Sequence, residues 1–241
     1  MDRGHQYVVF GKEYEKACVG SVNALRRYSD LPVHVVTNIP KNQLSAEWKR
    51  IKDVTIQSLG LSNSHNRHVK TLMINYTPFQ ETLYTDCDTA ILSDKFMEAF
   101  EVLEVCDLAF PIHSLKESQD RLKTKVYQQA LQMFKPEGNV MVLQGGVCVY
   151  KKNERAQKFF ELWNSYWECT RFRDMPGLAC AAHNVTGVSI GMLPSTMGFD
   201  TSEVIQHYYG WKPPKSSHIP QFMKDAANEG KMRWEPRKCF R

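Results

Sequence analysis

The sequence predicts an α/β fold: one domain on a mostly parallel central sheet, with an irregular C-terminal region. Three observations carry this. A strand, a helix and a second strand follow one another at the start of the chain, the signature of a βαβ unit with a parallel pair. Short apolar runs and helical stripes then keep alternating as far as residue 170. Beyond Gly191 the periodicity weakens, and Pro194, Pro213, Pro214 and Pro220 punctuate a loop-rich stretch. A length of 241 residues suits one domain and is enough to bury a substantial core.

The first strand covers residues 6–10 and is broken by Gly11. A helix follows, with Tyr14, Ala17, Cys18, Val22, Leu25 and Tyr28 on one stripe at three-to-four spacing. Residues 33–37 form the second strand, closed by Asn38 and Pro40. A short helix over 45–51 leads to a third strand at 54–56. The polar run 62–66 opens a basic helix carrying Val69, Leu72, Met73 and Tyr76, which Pro78 stops. Residues 82–84 form a strand that ends in Asp86-Cys87-Asp88. A helix over 96–105, a strand over 108–110 and one polar helix over 114–134 come next. Residues 141–150 are strand-like around Gly145-Gly146. The helix over 154–170 carries Phe159, Phe160, Trp163 and Trp167 on one stripe, which places both tryptophans in the core.

Composition narrows the function classes. Apolar residues make up 42% and charged residues 24%, which argues against disorder. The charge balance, 31 − 26 = +5, suits a protein that handles phosphates but falls short of a dedicated nucleic-acid binder. No apolar run reaches membrane-spanning length, and the N-terminus has no signal-peptide core. The seven cysteines, at 18, 87, 106, 148, 169, 180 and 239, form no C-x-x-C pair. That pattern predicts free thiols, most of them buried, in a reducing, cytoplasmic setting.

Four segments carry candidate chemistry. Asp86 and Asp88, two apart just beyond a strand, can point the same way and offer a hard oxygen site to a divalent cation. Such a cation can bridge the diphosphate of a nucleotide, although a bare D-x-D is as readily a solvated turn. In the run from Gln206 to Pro214, His207 can supply a third ligand, Gly210 lets backbone approach a phosphate, and Lys212 gives it a point charge. The same aromatic-rich run reads equally well as a packed edge with a satisfied histidine. Gly145 and Gly146 inside an apolar strand mark either a bulge or the close approach of a ligand. Asp174 begins a helix, where an acidic residue is often only a cap.

Taken in order, these motifs resemble the GT-A-fold glycosyltransferases, most of all the retaining family 8-type enzymes that include glycogenin and the lipopolysaccharide galactosyltransferases. The resemblance runs from residue 5 to about 214: strand, helix and strand with Asn38, a basic helix before L-Y-x-D-x-D, then G-G-V-x-V-Y, an Asp-led helix, and H-x-x-G-x-K-P. It implies a GT-A-like domain with a nucleotide-binding half over 5–110, a sugar and acceptor half over 111–214, and a tail over 215–241. It implies Asp86, Asp88 and His207 as ligands of Mn²⁺ or Mg²⁺. Phe10, Gly11, Asn38, Lys70, Asp86, Gly145, Gly146, Gly210 and Lys212 would hold the nucleotide sugar. Asp174, Gln144 and Lys212 would act on the transferred sugar and the leaving diphosphate. Gln144 stands where the family often has Asn, and Asp174-Met175 where it often has Asp-Gln.

The activity implied is transfer of a hexose from a nucleotide diphosphate sugar, a UDP-sugar favoured, with retention. The acceptor is open among a glycan, a lipid, a protein and a small molecule, and the oligomeric state is open as well. Two other readings remain: a haloacid-dehalogenase-type phosphatase, whose first motif is also D-x-D after a strand, and a non-catalytic sugar-nucleotide-binding or scaffold protein on the same fold. The phosphatase motif wants Thr or Val two residues after its second Asp, where this chain has Ala90, and it usually lies near the start of the chain.

Overall fold

A computed structural model describes residues 2–171 and 173–208 of the chain. β1 (Arg3–Val9) leads into Gly11, whose φ of 97° turns the chain into α1 (Lys12–Leu25). β2 (Val33–Thr37) and β3 (Val54–Ser58) complete the opening parallel unit, and α2 (Asn66–Thr71) carries the basic residues ahead of β4 (Glu81–Thr85). β5 (Thr89–Ile91) lies just beyond the D-C-D turn. Then come α3 (Glu98–Glu101), β6 (Leu108–Pro111), α4 (Leu115–Leu122) and α5 (Lys125–Phe134). β7 (Val147–Lys151), α6 (Glu154–Thr170) and α7 (Asp174–Asn184) follow, and the described chain closes with β8 (Ile190–Leu193), β9 (Met197–Phe199) and β10 (Ile205–His207).

Seven strands form the central sheet in the order β3-β2-β1-β4-β7-β6-β8. Its neighbours run parallel except at β7, which is antiparallel to both β4 and β6. The sheet is covered on both faces, so its inner strands are buried on both sides, while β3 and β8 at the edges are partly exposed. Alternate residues of β1 show this directly. Tyr7 and Val9 join a core with Leu83, Val147 and Val149 under α1 and α3. Val8 and Phe10 join the opposite core with Tyr84, Cys148 and Tyr150 under α2, α6 and α7. From β1 the chain order runs outward to β2 and β3 on one side and to β4 on the other. The carboxyl ends of β1 and β4 therefore flank a switch point, where α/β sheets hold their ligands.

Several sequence expectations are corrected here. The polar helix over 114–134 is two helices, because Thr124 is extended (ψ 147°) and turns its hydroxyl back onto the Arg121 carbonyl at 2.7 Å. Residues 141–146 are outside regular strand apart from a bridge between Ile112 and Leu143, and pairing begins at Val147. The segment over 45–51 is a 3₁₀ turn rather than α-helix, and in 96–105 a single α-helical turn, α3, is flanked by 3₁₀ turns. Between residues 190 and 208 the described chain adds three short strands. β8 extends the main sheet, and β5, β10 and β9 make a separate three-stranded sheet. Trp163 is fully buried, whereas Trp167 is only half-buried and tilts against His68.

Candidate metal and donor site

The site grows from the end of β4. Antiparallel pairing of β4 with β7 sets Thr85 opposite Val147, and the Asp86 N–H donates to the Gly146 carbonyl at 2.8 Å. This fixes the first carboxylate beside the paired glycines. β10 pairs antiparallel to β5 with His207 opposite Thr89, and the Tyr208 N–H donates to the Asp88 carbonyl at 2.9 Å. This second pairing brings His207 to Asp88 across 119 positions of chain. The ligand atoms of Asp86, Asp88 and His207 all lie within 4.8 Å of one another. His207 Nε2 is 3.1 Å from Asp88 Oδ1 and 3.8 Å from Asp86 Oδ2. Two carboxylates and one imidazole, converging from separate segments, fit a divalent cation that keeps positions open for phosphate oxygens.

The surrounding groups divide the work on Asp86. The Tyr84 hydroxyl donates to Oδ1 at 2.7 Å, and Lys70 Nζ reaches both carboxylate oxygens, at 3.0 and 3.1 Å. Oδ2 is the oxygen turned toward His207. The other nitrogen of the imidazole is held by Gln144, whose amide nitrogen meets Nδ1 while its amide oxygen accepts the Gly146 N–H. Gly146 is packed closely by this corner, and a side chain there would have to displace its neighbours. A Cβ there would stand 2.3 Å from His207 Cε1 and 2.9 Å from Asp86 Oδ2. Gly145 is less crowded, since its Cβ would meet Leu178 Cδ2 at 3.1 Å.

Lys70 also links the metal corner to Asp174. Its Nζ lies 3.0 Å from Asp174 Oδ2, and Arg67 Nε is 3.5 Å from Asp174 Oδ1. Burial raises the pKa of Asp174, but the Lys70 and Arg67 charges outweigh that and hold the carboxyl below its ordinary value. Burial lowers the pKa of Lys70, and Asp174 and Asp86 more than reverse it, so the ammonium stays charged. The His207 imidazole, disfavoured as a cation by burial, has its pKa raised by Asp88 and then Asp86. Asp174 itself begins α7, and its carbonyl accepts the indole N–H of Trp163 at 2.9 Å, which pins the helix start to α6.

At the end of β1 the Gly11 N–H donates to Asn38 Oδ1 at 3.0 Å, and Asn38 Nδ2 donates to Asn63 Oδ1 at 2.6 Å. Gly11 and Asn38 therefore meet across the ends of β1 and β2. Phe10 packs its ring into the core. Gln144, expected beside the donor sugar, is buried with its amide committed to His207 and Gly146. Met175 packs with Tyr127, Val142 and Ala179. Gly210 and Lys212 lie outside the described residues. Sequence reasoning missed Tyr84 and Arg67 as parts of the site. The signals were present: Tyr84 is two residues before Asp86, and Arg67 sits three before Lys70 on the same helical face.

No protein-family model matches the chain, and no curated protein matches its sequence. Solved structures do match. The galactosyltransferase LgtC, in complex with donor and acceptor sugar analogs, superposes with a TM-score of 0.67 at 13% identity, covering 95% of this chain and 96% of that one. The glycosyltransferase GlyE of Streptococcus pneumoniae TIGR4 gives 0.62 at 13% identity, over 97% of this chain and 61% of its own. Mouse xyloside xylosyltransferase 1 gives 0.56 at 11% identity, over 82% and 87%. The chain thus has the GT-A-type α/β fold of these glycosyltransferases. At such identities the likeness is one of fold, and the chemistry has to be argued from the side chains.

Proposed function

We propose that this chain is a metal-dependent glycosyltransferase that moves a hexose from a nucleotide diphosphate sugar to an acceptor hydroxyl. The observation that carries the reading is the convergence of Asp86, Asp88 and His207 at the carboxyl end of β4, in a fold shared with glycosyltransferases. We take the chain as one domain, with residues 5–110 holding the nucleotide and 111–214 serving the sugar and acceptor.

Asp86 Oδ2, Asp88 and His207 Nε2 would hold a Mn²⁺ or Mg²⁺ ion. Bound there, the ion supplies Lewis-acid stabilisation of a leaving diphosphate. The chain's own residues do the positioning. Gln144 and Gly146 fix the plane of the His207 ring, and ligation through Nε2 would place the imidazole proton on Nδ1, with the Gln144 amide turned to present its oxygen to it. Gly11 and Asn38, which meet at the ends of β1 and β2, would hold the nucleoside, a UDP-sugar being favoured. Lys70, with Gly210 and Lys212, offers the diphosphate its positive contacts. Asp174 stays ionised beside Lys70 and can accept hydrogen bonds from sugar hydroxyls. Its carboxylate is already engaged by two cations, which favours the hydroxyl-binding role over that of a general base and so supports retention.

The test is to incubate the protein with a panel of UDP-, GDP- and other nucleotide sugars, with Mn²⁺, with Mg²⁺ and with EDTA, and to measure released nucleotide diphosphate. Turnover should appear with one nucleotide class, vanish in EDTA, and fall at least ~100-fold in Asp88→Asn, a metal-ligand change. Metal-dependent donor binding with no turnover toward any acceptor would favour a non-catalytic sugar-nucleotide-binding protein.

A further inference from the structure

The turn that carries both carboxylates rests on a line of buried hydroxyls that the proposed chemistry does not use. Thr89 Oγ1 donates to the Asp86 main-chain carbonyl at 2.8 Å, closing the Asp86–Thr89 turn from inside. Ser21 Oγ, on α1, lies 3.5 Å from Thr89 Oγ1, and the Tyr7 hydroxyl, on β1, lies 3.0 Å from Ser21 Oγ. A carbonyl can only accept, so the Thr89 hydroxyl is the donor at that end. Thr89 therefore gives its proton to Asp86 and leaves its oxygen to accept, with Ser21 at the outer limit of hydrogen-bond distance behind it and Tyr7 within hydrogen-bond distance of Ser21. All three side chains are 0% exposed, amid an apolar layer that includes Ala17, Cys18, Val22 and Ile91. Apolar side chains of similar size would fill these three positions without any hydroxyl to satisfy, yet hydroxyls stand there.

We infer that Thr89 is a positioning residue for the metal site, and that Ser21 and Tyr7 act through it. Its place in the fold supports this. The Thr89 hydroxyl holds the Asp86 carbonyl, its chain neighbour is Asp88, and its strand partner across β5 and β10 is His207. One buried residue is thereby tied to all three candidate ligands without touching the cation. Buried hydroxyl lines polarise and stiffen one another, and groups behind metal ligands commonly set about 10–100-fold of the affinity. Removing the hydroxyl should let the turn relax and the two carboxylates lose their common aim.

The inference rests on the proposed metal site, so its test begins with metal alone. Mn²⁺ is titrated into the full chain, with free Mn²⁺ followed by electron paramagnetic resonance and folding followed by circular dichroism and thermal midpoint. Wild type should bind one ion and Asp88→Asn should lose it. Thr89→Val, which exchanges hydroxyl for methyl at constant size, should weaken Mn²⁺ by roughly 10–100-fold. Thr89→Ser should restore binding to within about 2-fold, because it returns the donor. Thr82→Val removes a buried hydroxyl at the far end of β4, where its partner is Thr77, and should leave Mn²⁺ affinity unchanged. Ser21→Ala, one link further back, should give a smaller loss in the same direction and serves if Thr89→Val does not fold. Wild-type Mn²⁺ affinity in both Thr89→Val and Ser21→Ala overturns the positioning role while leaving the metal site standing. No Mn²⁺ binding by wild type overturns both.

Discussion

At the scale of single residues, the site is governed by contacts that leave no slack. Gly146 is the sharpest case, because a methyl group there would overlap the His207 ring and crowd Asp86. Gly146→Ala should therefore displace His207 and weaken Mn²⁺ by roughly 10–100-fold, in line with other disturbances behind a metal ligand. Retention of wild-type affinity in a Mn²⁺ titration would mean that the ring can move without cost. The two tryptophans of α6 separate in the same way. Trp163 is fully buried and its N–H is bonded to the Asp174 carbonyl, so Trp163→Ala should cost roughly 3–5 kcal/mol. Trp167 is half-buried, and Trp167→Ala should cost clearly less; urea unfolding of both variants gives the comparison. Sequence periodicity places both rings on one stripe but cannot see that α6 rotates Trp167 toward the α2 side, beside His68. The D-x-D pair was legible because an apolar strand ran straight into it. The commitment of Gln144 to His207 was not, since nothing in a sequence pairs positions 144 and 207.

At the scale of elements, legibility follows length and locality. The opening strand, helix and strand are periodic and adjacent, and all three appear in the expected order, although β1 begins at Arg3 rather than at residue 6 and α1 stops at Leu25, short of Tyr28. The sheet of β5, β10 and β9 was missed because each strand has three residues, too few for alternation to register, and because its pairing is long-range. That sheet is what delivers His207 to the carboxylates. The break between α4 and α5 was missed because Lys123 and Thr124 carry no Gly or Pro. The start of α4, by contrast, bears a readable S-x-x-E signal. Ser114 accepts the Glu117 N–H at 3.3 Å, and the Glu117 carboxylate accepts the Ser114 N–H at 3.2 Å. Ser114→Ala should lower stability by about 1 kcal/mol, measured as a shift in the urea midpoint at unchanged slope. No shift would mean that α4 frays without unfolding the domain.

At the scale of the whole molecule, the sheet that aims the site also stores a proton-sensitive group at its centre. His5 on β1 is 0% exposed, stacks on Tyr7 with ring centroids 4.5 Å apart, and pairs through Nε2 with Thr85 Oγ1 at 2.8 Å. Burial, and secondarily the Arg26 charge, push its pKa from 6.5 down to about 3. The folded state therefore holds His5 neutral, while the unfolded chain protonates it near 6.5. Between those values the unfolded state binds more protons, so stability contributed by neutral His5 is complete above about pH 6.5 and is lost as the pH falls toward about 3. At about 1.4 kcal/mol per pH unit, this one group should cost the fold roughly 2 kcal/mol between about pH 7 and about pH 5. His34 and His113 have lowered pKa values from burial as well and add in the same direction. His5→Gln keeps a donor for Thr85 but cannot take up the proton. Its urea stability should be lower than wild type at about pH 7 and should decline less steeply toward about pH 5. Parallel declines for the two proteins would show that His5 is not the group whose protonation the fold resists.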